Sequence, residues 1–165
     1  MRRLARLKDG TEIEIRPLEP HDAELLIHGF DELSARTRYE RFFTVVPTLP
    51  RHWVEELMDI DHRDREALGA GDPVTGQGVG IARYVRPAGT TDEAEFAVTI
   101  TDEWQGRGAG RALMLELMEA ARANGISRLT GEVLAANDPM LALAQRLGAH
   151  AEPSEGGVVH VTLDL

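Results

Sequence analysis

The stretch Gln105-Gly106-Arg107-Gly108-Ala109-Gly110 carries three alternating glycines and leads directly into an amphipathic run that begins at Arg111. Glycine leaves the backbone bare, and the first amides of a helix have no partner within it, so such a junction can hold a phosphate. The side chains of Arg107 and Arg111 could add positive charge there. The alternative is a strand-to-helix corner that needs glycine only for its turn.

The segments around this stretch predict strands and helices in a mixed order. Period-2 alternation and turn signals predict strands over residues 11–16, 66–71, 79–86, 93–100, 128–134 and 158–163. Helical spacing predicts helices over residues 21–33, 34–43, 51–60, 111–124 and 138–147. The early helices, the central hairpin and the late strand-helix-strand unit predict an α/β (α+β) fold, a mixed sheet flanked by helices.

The composition narrows the class of protein. The 165 residues are 42% hydrophobic and 28% charged, which is ordinary for one globular domain over residues 1–165. A formal net charge of -10 argues against a nucleic-acid binder, which needs a basic face. We expect a cytoplasmic protein, because no segment resembles a signal peptide or the ~20 apolar residues of a membrane helix. With no cysteine and no zinc-type histidine spacing, we expect no metal.

The strand before the glycines completes a longer pattern. Residues 94–104 followed by Gln105 to Gly110 resemble the coenzyme A-binding core of the GNAT superfamily of acyltransferases, whose motif reads Arg/Gln-x-x-Gly-x-Gly/Ala. Gln105, Gly108 and Gly110 occupy its three defining positions. The likeness continues through residues 131–140 and 146–149, and the N-terminal half is similar to the GNAT domain of bacterial Pat-type protein lysine acetyltransferases.

The resemblance implies a cofactor site. It implies a mostly antiparallel sheet of six to seven strands that binds acetyl-CoA. The backbone of Val98, Thr99 and Ile100 is expected to pair with the pantetheine arm. The pyrophosphate is expected on the backbone amides of the glycine run, with Gln105 leading into them: Gly106, Arg107, Gly108, Ala109, Gly110 and Arg111. Asn137 is expected beside the pantetheine, although an asparagine before Asp-Pro can equally be only a helix cap.

The resemblance also implies a reaction, the transfer of an acetyl group to a primary amine of a small molecule or a protein lysine. Glu95 is the expected general base, and Glu93 shares its face of the strand by alternation. Either glutamate could instead form a salt bridge or face solvent. Many GNAT enzymes place a tyrosine acid where Ala144 stands here. Tyr39, Arg41 and Phe42 either line the acceptor side or pack as a helix face.

Two questions stay open at this level. The chain could be a non-catalytic acyl-CoA-binding or sensor module, because Ala144 supplies no acid and a binder needs the glycines but no base. The expected partner is an amine acceptor, with neither nucleic acid nor membrane involved, and the chain could form a homodimer.

Overall fold

The computed structural model describes residues 1–165 and contains one sheet of eight strands. The strands are β1 (Arg3–Arg6), β2 (Glu12–Pro17), β3 (Arg65–Gly71), β4 (Gly78–Val85), β5 (Glu93–Ile100), β6 (Arg128–Leu134), β7 (His150–Pro153) and β8 (Val158–Asp164). Their order across the sheet is β1-β2-β3-β4-β5-β6-β8-β7. Only β5 and β6 pair in parallel. The predicted fold class, with a mixed and mostly antiparallel sheet, is confirmed.

The helices lie on both faces of the sheet. They are α1 (Ala23–Asp31), α2 (Ala35–Phe42), α3 (Arg51–Leu57), α4 (Ala109–Ala123) and α5 (Asp138–Arg146). One face of α4 buries Leu113, Leu117 and Ala121 against the core, together with Leu143 of α5. The opposite face of the sheet is covered by α1, which contacts β4, and α2, which contacts β5. No helix has both the length and the apolar character to cross a membrane.

Two strands, β1 and β7, lie outside the predicted elements. Each is four residues long, and every residue of β7 is exposed. Strands at or next to the edge of a sheet need bury neither face, so they carry no alternation of polar and apolar residues for a sequence to reveal. They complete the sheet around the six strands that the alternation predicts.

The feature that shapes the molecule is a split between β5 and β6. Their parallel pairing runs from Glu93 with Arg128 to Glu95 with Thr130 and then stops. Beyond this point Phe96 of β5 lies beside Gly131 of β6, where an added Cβ would meet the ring at 2.8 Å. The two strands therefore diverge toward the start of α4 and leave one edge of β5 without a partner strand.

Candidate functional site

A cleft of about 1220 Å³ lies where the strands diverge. Its walls are β5 and β6, and one end is closed by the glycine run at the start of α4. Of the residues predicted for the cofactor and the chemistry, the structure brings these to the cleft: Glu95, Val98, Thr99, Ile100, Gln105, Gly106, Gly108, Ala109, Gly110, Arg111 and Asn137. Arg107 is the exception, because it is absent from the lining.

The glycine run forms a loop of unpaired amides. Gly106 and Gly108 have φ angles of +74° and +95°, a left-handed conformation that favours glycine. The amide of Ala112 donates to the Gly108 carbonyl at 3.1 Å and is the first to enter the α4 ladder. None of the amides from Gly106 to Arg111 donates a hydrogen bond within the chain. These free donors and the positive end of the α4 dipole fit an anion such as a pyrophosphate.

Arg107 has a different role from the one its position suggests. Its guanidinium forms an ion pair with Asp9 at 2.9 Å and stacks over Trp104 at 4.0 Å. A hydrogen bond from Thr11, together with that from Arg107, lowers the pKa of Asp9 to about 2. The charge of Arg107 is therefore paired with Asp9, and its side chain fastens the glycine loop to the turn between β1 and β2.

Lys8 supplies a basic side chain that sequence reasoning missed. Its Cγ and Cε lie 3.6 and 3.7 Å from the position of a Cβ on Gly108, and it lines the cleft. The residue stands directly before Asp9 and Gly10, a pair that indicates only a turn. Because the contact to Gly108 joins distant parts of the chain, no local pattern announces it. Together with Arg111, which also lines the cleft, it places positive charge near the free amides.

Gln105 joins three elements around the loop. Its Nε2 donates to the Ile100 carbonyl at 3.0 Å and to the Thr37 hydroxyl at 3.2 Å. The Asp102 carboxylate accepts from the Ser34 amide at 2.9 Å and from the same Thr37 hydroxyl at 3.2 Å. The side chain of Gln105 thus connects the end of β5 and the start of α2 to the glycine run.

The unpartnered edge of β5 presents backbone groups at alternate residues. The Thr101 amide donates to the Val79 carbonyl at 2.9 Å, so Thr101 and Thr99 direct their backbone groups to β4. By the same alternation the amide and carbonyl of Val98 and Ile100 point into the split. A pantetheine arm could pair there like an added strand, mainly with Val98, because Gln105 already donates to the Ile100 carbonyl.

Glu95 and Glu93 differ in their interactions and in their position relative to the cleft. Glu93 lies 3.9 Å from the guanidinium of Arg128 and does not line the cleft. Glu95 lines the cleft, is exposed and makes no hydrogen bond or ion pair. A carboxylate that opens into a cleft without a partner is available to accept a proton, so the geometry favours Glu95 over Glu93 as a base.

A second carboxylate reaches the cleft beside Glu95. The Glu132 carboxylate of β6 accepts from His160 of β8, with Nδ1 and Oε1 2.7 Å apart, and both residues line the cleft. Since Thr130 is opposite Glu95, alternation places Glu132 on the same sheet face. The alternation of β6 could have revealed Glu132, but the pairing with His160 needs the register of β6 with β8.

Asn137 and Ala144 occupy different environments on α5. The Asn137 Oδ1 accepts from the Met140 amide at 3.3 Å and caps the helix, while the residue also lines the cleft. The two predicted roles of Asn137 are thus compatible. Ala144 is 2% exposed in the core and lies outside the cleft lining. No group of three or more histidine and carboxylate side chains converges as a metal site.

A second cavity of about 620 Å³ adjoins the cleft on the α2 side. Arg41 and Phe42 line it, and the Phe42 ring also packs 5.1 Å from the ring of Trp53. Tyr39 is 45% exposed and lines neither cavity. Among the residues expected on the acceptor side, the structure thus assigns Arg41 to the cavities, Phe42 to both cavity and packing, and Tyr39 to the surface.

Comparison with known proteins connects this architecture to a family. Residues 30–149 match the sequence profile of the Acetyltransferase (GNAT) family. Acetyltransferase Pat of Mycolicibacterium smegmatis is 34% identical over 160 residues, which are 96% of this chain and 47% of that protein. The chain thus spans about half the length of this curated relative.

Solved structures share the fold. The GNAT domain of S. lividans PAT superimposes with a TM-score of 0.91 at 32% identity, covering 99% of this chain and 97% of that one. A more distant structure is yncA from Salmonella typhimurium with its cofactor acetyl-CoA, with a TM-score of 0.75 at 16% identity over 93% of this chain and 94% of that one. The glycine loop, the split sheet and the profile match agree: this chain belongs to the GNAT acetyltransferase family.

Proposed function

We propose that the protein is an acetyl-CoA-dependent N-acetyltransferase that acylates a primary amine by direct attack, with Glu95 as the general base. One observation carries the proposal. The split between β5 and β6 has unpaired amides from Gly106 to Arg111 at one end and the unpartnered carboxylate of Glu95 at the other. A phosphate-bearing thioester and an amine can therefore meet in one cleft.

The donor side follows from the backbone. The free amides from Gly106 to Arg111 would hold the pyrophosphate, and the split directs Val98 toward the pantetheine amides. Acetyl-CoA supplies a thioester carbonyl carbon for the amine to attack and a thiolate that leaves. The acetyl-CoA that accompanies the distant Salmonella structure supports this choice of donor.

The acceptor side requires a proton acceptor. An amine with a pKa of ~10.4 is neutral in only about one part in 2,500 at pH 7, a barrier contribution of roughly 4.6 kcal/mol. The amine forms a C–N bond while it loses an N–H proton, and Glu95 takes that proton directly or through one water. A protein lysine is the acceptor that the resemblance to Pat-type protein lysine acetyltransferases implies.

The departing thiolate needs no acid from α5. Ala144 is buried in the core and offers none. A thiol has a pKa of about 8.5, so its thiolate leaves readily and can take a proton from water. The chain therefore needs to bind and orient the two substrates and to remove one proton from the amine.

The test compares Glu95→Gln with Glu93→Gln, a matched pair two residues apart on one strand. We expect E95Q to bind acetyl-CoA as the wild type does and to lose turnover at least tenfold, the scale of one proton-transfer contribution. E93Q should stay within about twofold, because Glu93 pairs with Arg128 away from the cleft. Thiol release with a panel of amines and lysine peptides measures the rate, and the protein contributes no thiol because it has no cysteine.

The outcomes separate the alternatives. Equal loss in both variants would contradict a base role for Glu95, and loss in Glu132→Gln alone would transfer that role to Glu132. Tight acetyl-CoA binding without thiol release from any acceptor would instead identify a non-catalytic acyl-CoA-binding module.

A further inference from the structure

Two arginines lie where the cofactor cleft meets the second cavity. Arg41 is in the last turn of α2 and Arg83 is in the middle of β4. Both line both cavities, as do Ala97 and Thr99 of β5. These four residues therefore lie at the boundary between the two cavities.

The two guanidinium groups have no carboxylate partner. Arg41 forms no ion pair or hydrogen bond, and its one notable contact is its own neighbour, the Phe42 ring at 4.8 Å. Arg83 donates through Nη1 to the Leu57 carbonyl at 3.0 Å. Most other arginines in this acidic chain form salt bridges with nearby carboxylates. Neither Arg41 nor Arg83 has such a partner.

Burial makes that charge unfavourable in the empty protein. Burial, together with the nearby charge of Arg83, lowers the pKa of Arg41 to about 10. Burial also lowers the pKa of Arg83, against the opposing effect of Glu56. Glu14, Glu24, Glu32 and Asp72 also line the second cavity but form no ion pair with either arginine. An entering anion would relieve this cost.

The pair is close to the proposed base. In the register of β4 with β5, Arg83 is opposite Ala97. Glu95 stands two residues before Ala97 on β5 and shares its face of the sheet. Diagonal positions of this kind lie roughly 7–8 Å apart. The methyl group of Ala97 leaves the space between them open. One acceptor could thus present its amine to Glu95 and an anionic group to the arginines.

We propose that Arg41 and Arg83 form an anion subsite, so that the acceptor carries a carboxylate or similar oxyanion a few bonds from the amine that is acetylated. This rests on the proposed acetyl transfer and narrows its substrate class. The anion can belong to a free amino acid or to an acidic side chain beside a lysine in a peptide. Guanidinium groups bind such oxyanions through paired hydrogen bonds.

The experiment uses acceptors matched in every respect except charge. One arm compares a free amino acid with its carboxamide, and the other compares lysine peptides with Glu or Gln beside the lysine. In the wild type we expect at least a tenfold preference in kcat/KM for the charged member in one arm, which identifies the source. Arg41→Gln should abolish that preference and leave the KM for acetyl-CoA within twofold. Arg51→Gln, an exposed arginine on α3, should preserve it.

A binding measurement separates this subsite from the chemistry. Coenzyme A cannot donate an acetyl group, so titration of the charged acceptor into protein saturated with it reports affinity without turnover. We expect at least tenfold tighter binding than for the neutral member in the wild type, a loss in R41Q, and partial recovery in Arg41→Lys. Equal affinity for both members would overturn the anion subsite even if thiol is released. Failure of thiol release alone would overturn only the proposed transfer.

Discussion

Gly108 has a φ angle of +95° and lies within the loop of free amides, so its backbone conformation affects the proposed phosphate site directly. An alanine there would hold a left-handed conformation at a cost of about 1–2 kcal/mol. Its Cβ would stand beside Lys8 at the mouth of the amide loop. The contact to Lys8 is of ordinary van der Waals length, so backbone strain within the amide loop is the main expected effect.

We predict that Gly108→Ala lowers the free energy of unfolding by about 1 kcal/mol and weakens coenzyme A binding at least fivefold. Gly89→Ala is the control, because Gly89 has a φ of +88° on an exposed turn with no atom near its Cβ position. It should lose similar stability and keep its affinity. Calorimetry and urea unfolding measure the two quantities, and an affinity loss in both variants would assign the effect to stability instead of the loop.

At the scale of elements, β5 diverges from β6 where the large ring of Phe96 lies beside Gly131, which has no side chain. An added Cβ at Gly131 would lie 2.8 Å from the Cε1 of Phe96. Real side chains do not approach so closely, so the ring or the strand must move. The geometry of the split is therefore sensitive to this one contact.

We predict that Gly131→Ala costs about 1–3 kcal/mol of stability through overpacking. Phe96→Leu in the same chain should restore part of the loss, because the smaller side chain makes room. Gly78→Ala on β4, which has open space around its Cβ position, should change stability by less than about 0.5 kcal/mol. Thermal and urea unfolding measure all three. An equal cost at positions 78 and 131 would remove the ring contact as the cause.

The sequence predicts the bounds of some helices and strands better than those of others. The amphipathic face of α4 and the alternation of β5 predict their positions within a few residues, because burial on one side imposes the period. The predicted helix over 51–60 ends earlier, at Leu57, and none of the residues within the helix is buried. Strands β1 and β7 show no period at all.

At the scale of the whole molecule, one buried ion pair joins the helical layer to the sheet. Arg16 of β2 donates twice to the Asp22 carboxylate, at 2.8 and 2.9 Å, and Asp22 is 3% exposed. These hydrogen bonds, opposed by burial and aided by the Glu19 amide, lower the pKa of Asp22 to about 2 from 3.8. Asp22 therefore contributes to global stability when it is ionised.

We predict that Asp22→Asn destabilises the protein at pH 7 by about 2 kcal/mol, the linkage value of that pKa difference. Because the folded pKa is depressed, the contribution is present above about pH 4 and is lost as the pH falls from there toward 2. The gap between wild type and D22N should shrink over this window. Urea unfolding from pH 7 to 2 measures it, with exposed Asp31→Asn as control; a gap independent of pH would contradict the ion-pair account.

The sequence by itself determined the features that one local segment can carry. Periodicity predicts the strand with Glu95 and the helix after the glycines, and the motif of Gln105, Gly108 and Gly110 carries the resemblance from which the family could be predicted. The tertiary structure decided which side chains meet. Arg107 with Asp9 spans 98 positions and His160 with Glu132 spans 28. Arg41 and Arg83 line the same two cavities from a helix and a strand that share no local pattern. Such contacts depend on how elements pack across the sheet, and periodicity within one element contains no record of what lies opposite it.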